Sequence, residues 1–172
     1  TEERERLDGY EAMIQVLYQR LCSHPYFGPL NLEIDSKSQR LYVRFEPEAG
    51  KSAAVNRYFS MAQANAVALA IFLGTALLQS WSRLGVICID DPVQHMDDMN
   101  TYAFLDLLRT MLESGRQIII TTASEDLYRT MVSRFAPLNK EGRTPFQAFR
   151  LIGVTPEGPE IVHDIAGDGI TL

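Results

Sequence analysis

Between Glu2 and Ser23, Leu7, Tyr10, Ile14, Leu17 and Leu21 recur every three or four positions. That spacing lays them on one stripe and predicts an amphipathic helix that ends before His24-Pro25. Past the breaker Pro25–Pro29, the runs Leu30–Asp35 and Arg40–Glu46 flank the polar tetrapeptide Ser36-Lys37-Ser38-Gln39 and predict a β-hairpin. Pro47–Arg57 reads as a polar loop. From about Ser60 to Ser80 the chain is rich in alanine and leucine and apolar on nearly every side, so this predicted helix must be covered by other elements.

The second half alternates strands with helices. Leu84–Ile89 is apolar without alternation, as expected for a strand of a parallel sheet buried on both faces. A helix over Asp98–Glu113, stopped by Gly115, leads to a second apolar strand, Gln117–Thr121. A Thr-Thr-Ala-Ser turn then opens a helix over about Glu125–Phe135, and Ala148–Val154 and Glu160–Ile165 predict a closing strand pair around Thr155–Pro159. The fold class is α/β: parallel buried strands flanked by helices, with short antiparallel hairpins.

Composition narrows the partners more than the fold. At 172 residues, with 46% apolar and 22% charged, the chain is one domain or a large piece of one. A net charge of -6 argues against a surface given over to nucleic-acid phosphates. Two cysteines are too few for a disulfide scaffold, and Cys88, inside an apolar run, reads as a buried reduced thiol, which points to the cytoplasm. The apolar run Ala66–Leu78 falls short of the roughly 20 residues that cross a bilayer, so a core helix and no membrane partner are expected. The opening Thr1-Glu2-Glu3-Arg4-Glu5-Arg6 reads as a solvated helical start cut out of something longer.

Chemistry is expected beyond the carboxyl ends of parallel strands, where Asp90 and Asp91 stand. A hydrophobic strand followed by two acids has the form of a Walker B motif. There the first acid, Asp90, holds Mg²⁺, and the second, Asp91, orients or deprotonates a water. The plain alternative is a strand end that turns at Pro92. Upstream, Ser60 occupies the N-cap position of the long apolar helix, where free amides and the helix dipole suit a phosphate. Read alone, Ser60 is a cap.

In order and spacing, Tyr58–Leu127 resembles the C-terminal half of an ABC-type ATPase head, and within that class the SMC-like coiled-coil DNA-repair ATPases. Phe59-Ser60-Met61-Ala62-Gln63 resembles the signature motif, Val86–Pro92 the Walker B strand, His95-Met96-Asp97 the D-loop and Ile118–Ala123 the switch strand. The resemblance implies that two heads sandwich ATP and Mg²⁺. Ser60 and Gln63 would act on nucleotide held by the opposite head, and Asp97 would cross the dimer interface. Residues 1–23 would be the returning root of a coiled coil. It implies as partners a second head, the missing N-terminal half of the same head that carries the Walker A loop, DNA for the whole protein, and a nuclease subunit in some assemblies.

Several residues depart from that pattern. Gly50-Lys51-Ser52 mimics the end of a Walker A loop, but Phe45 occupies the first glycine position and no helix is expected to start after Ser52. Ala62 replaces the second signature glycine, Asp91 the usual glutamate, and Ala123 the switch histidine, all of which point to slow turnover. Two other functions stay open: a dimerisation module that has lost hydrolysis, and a metal-dependent nuclease or hydrolase built on Asp90, Asp91, His95 and Asp97. The arginines Arg109, Arg116, Arg129, Arg134 and Arg143 read as solvated, and Met96, Met99, Met111 and Trp81 as packing residues.

Overall fold

A computed structural model describes residues 2–22, 29–35, 40–48, 51–79, 83–140 and 146–164, in two units, Thr1–Ile120 and Thr121–Leu172. In the first unit, helix α1 (Glu2–Leu21) buries Ile14, Leu17, Tyr18 and Leu21 along the predicted stripe and packs against α3 (Met61–Leu78). A side-chain carbon added at Gly74 of α3 would lie 3.0 Å from Ile14 Cγ1 and 3.5 Å from Leu17 Cδ1, so glycine is what lets the helices approach. The full 18 residues of α3 are long and apolar enough to cross a membrane by length and composition. It packs against α1, and its buried residues are Ala66, Val67, Leu69, Ala70, Leu73 and Gly74.

Strands β1 (Leu30–Asp35) and β2 (Arg40–Glu48) form the predicted antiparallel hairpin, from Leu30↔Phe45 to Asp35↔Arg40; its turn lies outside the described residues. Helix α1 covers the open edge of β1: the Leu30 amide donates to Gln15 Oε1 (2.7 Å) and the Leu32 amide to Glu11 Oε1 (3.0 Å). The expected polar loop over Pro47–Arg57 is instead the end of β2, a third strand β3 (Lys51–Ala54) and a single helical turn α2 (Val55–Tyr58). Local composition hid β3 because its reason is tertiary: it pairs antiparallel with β2 across a bulge between Phe45 and Glu48. Next to it, fully buried Phe45 packs its ring 5.8 Å from Tyr58 and 4.8 Å from Phe59.

Strands β4 (Val86–Asp90) and β5 (Gln117–Thr121) pair in parallel, joined through α4 (Asp98–Glu113), and the Gln117 amide donates to the Gly85 carbonyl at 2.9 Å. Helix α4 buries Phe104, Leu105, Leu107, Leu108 and Met111, packs on α1, and stops at Ser114-Gly115, with Gly115 at φ 78°. Within this chain β4 alternates: Ile87 and Ile89 are buried, whereas Cys88 and Asp90 are exposed. The Cys88 thiol is therefore not the buried group its apolar run suggested; the run covers both faces, and here only one is packed. Ile119 on β5 is likewise exposed.

In the second unit, α5 (Glu125–Lys140) runs past the predicted end at Phe135 and through Pro137. The apolar stripe continues: Leu127, Met131, Phe135 and Leu138 are all buried. Asn139 then fixes the helix end to the following strand, donating from Nδ2 to the Phe146 carbonyl and accepting the Phe146 amide at Oδ1 (2.9 and 2.6 Å). The pair β6 (Ala148–Thr155) and β7 (Gly158–Asp164) is antiparallel, closed by a turn whose Gly158 sits at φ 132°. Arg150 binds Glu125 at 3.0 Å and lies 4.6 Å over the Tyr128 ring, and Tyr128 donates to Asp164. With Arg129 bonded to it as well, Glu125 is held below the usual carboxylate range, Arg129 contributing most.

Candidate functional site at the start of α3 and the end of β4

The start of α3 is a reciprocal cap. Ser60 Oγ accepts the Gln63 amide at 3.3 Å, and Gln63 Oε1 accepts the Ser60 amide at 2.9 Å. Serine at the first position and glutamine three residues on are what this geometry requires, so Ser60 is the predicted cap and Gln63 its counterpart. The box engages the first and fourth amides of the segment. Between them Met61 and Ala62 occupy the first turn of the helix, where amides point outward along the axis. Met61 is 70% exposed, so this terminus faces open space.

Asp90, exposed, ends β4, and Asp91 follows in the left-handed region at φ 44°. His95 is left-handed too, at φ 67°. A non-glycine residue pays roughly 1 kcal/mol or more for that conformation, with aspartate among the better tolerated. The turn between them is closed by Gln94 N–H to Asp91 O (3.5 Å) and Met96 N–H to Val93 O (2.9 Å). From α3, Asn65 Nδ2 donates to two carbonyls of this turn, Pro92 O at 3.1 Å and Gln94 O at 3.0 Å. The serine-capped helix and the aspartate segment are thereby tied to each other. Sequence reasoning passed over Asn65, although it is the one polar side chain in the otherwise apolar run Ala64–Leu73.

Asp97 caps α4, its Oδ1 accepting the Asn100 amide at 2.8 Å and its Oδ2 the Asn100 side chain at 3.3 Å. It is exposed, and it is close enough to α1 to act on Cys22. Burial pushes the Cys22 thiol up, the neighbouring Tyr18 hydroxyl opposes this, and the Asp97 carboxylate adds to the rise. The end of α1, the D-loop-like segment and the capped start of α3 are thus neighbours within one unit.

Among the described residues no group of three or more His, Cys, Asp or Glu side chains converges to hold a metal ion, which removes the support for a self-contained Asp90, Asp91, His95 and Asp97 metal centre. Lys51 and Ser52 lie in β3, a strand, while Gly50 is outside the described residues. In the turn before α5, Ser124 Oγ caps the helix by accepting the Leu127 amide (3.2 Å), and Thr122 Oγ1 accepts the Ser124 amide (3.0 Å). Met111 is buried as expected, but Met99 is 79% exposed, because it points away from the packed stripe of α4. Trp81 and Arg143 lie outside the described residues. Arg129 is paired with Glu125, and Arg116 donates to the Leu77 carbonyl at 3.4 Å.

No family model matches the sequence, and no curated protein matches it. Solved structures do. A chain described for the ATP-driven dimerization and DNA-stimulated activation of SMC ATPases matches 92% of this chain and 85% of its own, at 14% identity and TM-score 0.63. The chain has the fold of an SMC ATPase head. An Smc head bound to the C-winged helix domain of ScpA matches at 14% identity over 93% of this chain, TM-score 0.62. The Smc head with coiled coil and joint from Pyrococcus yayanosii matches at 16% identity over 93%, TM-score 0.61. This chain spans 43% and 27% of those two, respectively. The SMC head fold agrees with the α/β architecture read from the sequence.

Proposed function

We propose that this chain is the signature and Walker B lobe of an SMC-like ATPase head, residues 1–172 forming the C-terminal lobe and residues 1–23 rooting a coiled coil. In this reading it completes a nucleotide site whose phosphate cradle belongs to the N-terminal Walker A half of the same head. The observation that carries the reading is the pairing, within one SMC-like unit, of an outward-facing serine-capped helix start with an aspartate pair at a parallel strand end. The residues fit ATP and Mg²⁺ in complementary parts. Asp90 supplies an oxygen suited to Mg²⁺, Asp91 a carboxylate to align water, and Ser60 with the Met61 and Ala62 amides a donor set for the phosphate of a facing head. ATP would supply the phosphoanhydride whose binding closes two heads on each other.

Two features support a missing half. Only a third of α3 is buried although it is apolar on every side, and Cys88 and Ile119 leave apolar parts of β4 and β5 uncovered. Among the described residues, no strand-loop-helix with the glycine pattern of a phosphate cradle is present. Gln63 would leave its capping partner when the γ-phosphate arrives, and Asp97, already exposed, would reach the second head. A homodimer of heads in the cytoplasm, DNA as the substrate of the whole protein and a nuclease subunit as an associate complete the proposal.

Turnover is expected to be slow. Ala62 places a methyl where the backbone should approach phosphate, Asp91 is one methylene shorter than glutamate, and Ala123 offers no imidazole. The test is ATP hydrolysis by the complete head beside its Asp91→Asn variant. Slow hydrolysis abolished by the substitution supports the reading; fast hydrolysis refutes the slow switch, and hydrolysis indifferent to Asp91 refutes its role. Nucleotide-dependent dimerisation without phosphate release would identify the non-catalytic module.

A further inference from the structure

We infer that Asn65 is a positioning residue, the clamp that makes the serine-capped start of α3 and the Asp91–Asp97 segment move as one body. This rests on the ATPase reading above for its catalytic consequence, but not for its structural basis. A side-chain amide nitrogen carries two hydrogens, and Asn65 spends one on the Pro92 carbonyl and one on the Gln94 carbonyl. Leucine or alanine, which fill the same run elsewhere, could make neither bond, and aspartate would set a carboxylate against two carbonyl oxygens.

The turn needs such a clamp. It is bracketed by two left-handed non-glycine residues, Asp91 and His95, and the bond that spans its start, Gln94 N–H to Asp91 O, is long at 3.5 Å. Strain of this kind persists only where surroundings fix it. The clamp also has a direction. Asn65 sits in the second turn of α3, just past the Ser60–Gln63 box, so a displacement of the helix start is handed to the residues that carry Asp91 and Asp97. A phosphate engaged at Ser60 would thus be reported to the acids of the same head, through one side chain rather than through the whole sheet.

Asn65→Ala removes both bonds, and Asn65→Asp keeps the volume but reverses the polarity. Hydrogen exchange on this chain is expected to show the Gln94 and Met96 amides opening at least about tenfold faster in both variants, with Leu69–Leu73 of α3 within about twofold of wild type. Unchanged exchange at Gln94 and Met96, or a rise spread evenly over α3 and β4, overturns the clamp. In the complete head, both variants are expected to lower kcat for ATP by about tenfold or more with KM within about twofold, as for misplaced catalytic groups. Loss confined to KM, or an unchanged kcat, overturns the positioning role. If the wild-type head hydrolyses no ATP, the ATPase reading fails, and the exchange measurement alone still decides whether Asn65 holds the turn.

Discussion

Ser52 and Ser60 both invite a phosphate reading, and the fold treats them in opposite ways. Ser52 follows a glycine and a lysine, the more suggestive sequence, yet its backbone belongs to β3, a strand committed to pairing with β2. Ser60 has no glycine beside it but begins an 18-residue helix whose start is exposed. Phosphate is held by amides that have no other partner, so what decides is whether a helix begins there, not which small residues stand nearby. The same contrast separates the acids: Asp90 and Asp91 sit at a strand end, where groups converge, and the acids of β1–β2 sit along a ladder.

The largest expected effect tests the acid side of that contrast. Asp91→Asn in the complete head should lower phosphate release at least about a hundredfold while ATP-dependent dimerisation persists, measured by turnover and sedimentation in parallel. Loss of both together would mean that Asp91 serves folding or assembly instead.

Next is the support beneath Ser60. Gly74→Val forces side-chain carbons into the space held by Ile14 and Leu17 and should cost about 1–3 kcal/mol in denaturant unfolding. Gly74→Ala, which asks Ile14 to give by only a few tenths of an ångström, should cost less. Equal effects would show that α1 and α3 are looser than their packing suggests.

Smaller still, Ser60→Ala should lower stability by about 1 kcal/mol, because the Gln63 amide loses its acceptor. Nucleotide-driven dimerisation should weaken further than that stability loss explains. A change in stability with no change in dimerisation would reduce Ser60 to a cap. At the bottom of the scale, Lys51→Ala should leave nucleotide affinity within about twofold, since an isolated strand lysine holds no phosphate cradle. A large loss there would reverse the comparison between the two serines.

Much of this was legible in the sequence because the signals were local. The α1 stripe, the Ser60 cap, the Asp98 start and Gly115 stop of α4, and the β5 boundaries all follow from periodicity and capping. The sequence did not disclose β3, whose residues have little strand preference and which exists through its ladder to β2. Nor did it disclose the exposure of Cys88: an unbroken apolar run suits either face of a strand, and here only the Ile87 and Ile89 face is packed. In the candidate site, residue types marked Ser60, Asp90, Asp91 and Asp97 as worth attention, but the link between them did not show. Asn65 is separated in sequence from Pro92 and Gln94 by the rest of α3 and all of β4, and only folding brings its amide to their carbonyls.

The central claim is that two polypeptide segments share one nucleotide site. Phosphate release should be measured for this chain alone, for a Walker A-bearing half-head alone, and for the two mixed. Release from the mixture only, abolished by Asp91→Asn in this chain, is the predicted result. Hydrolysis by this chain unaided, or a mixture that neither turns over nor dimerises with ATP, would contradict it.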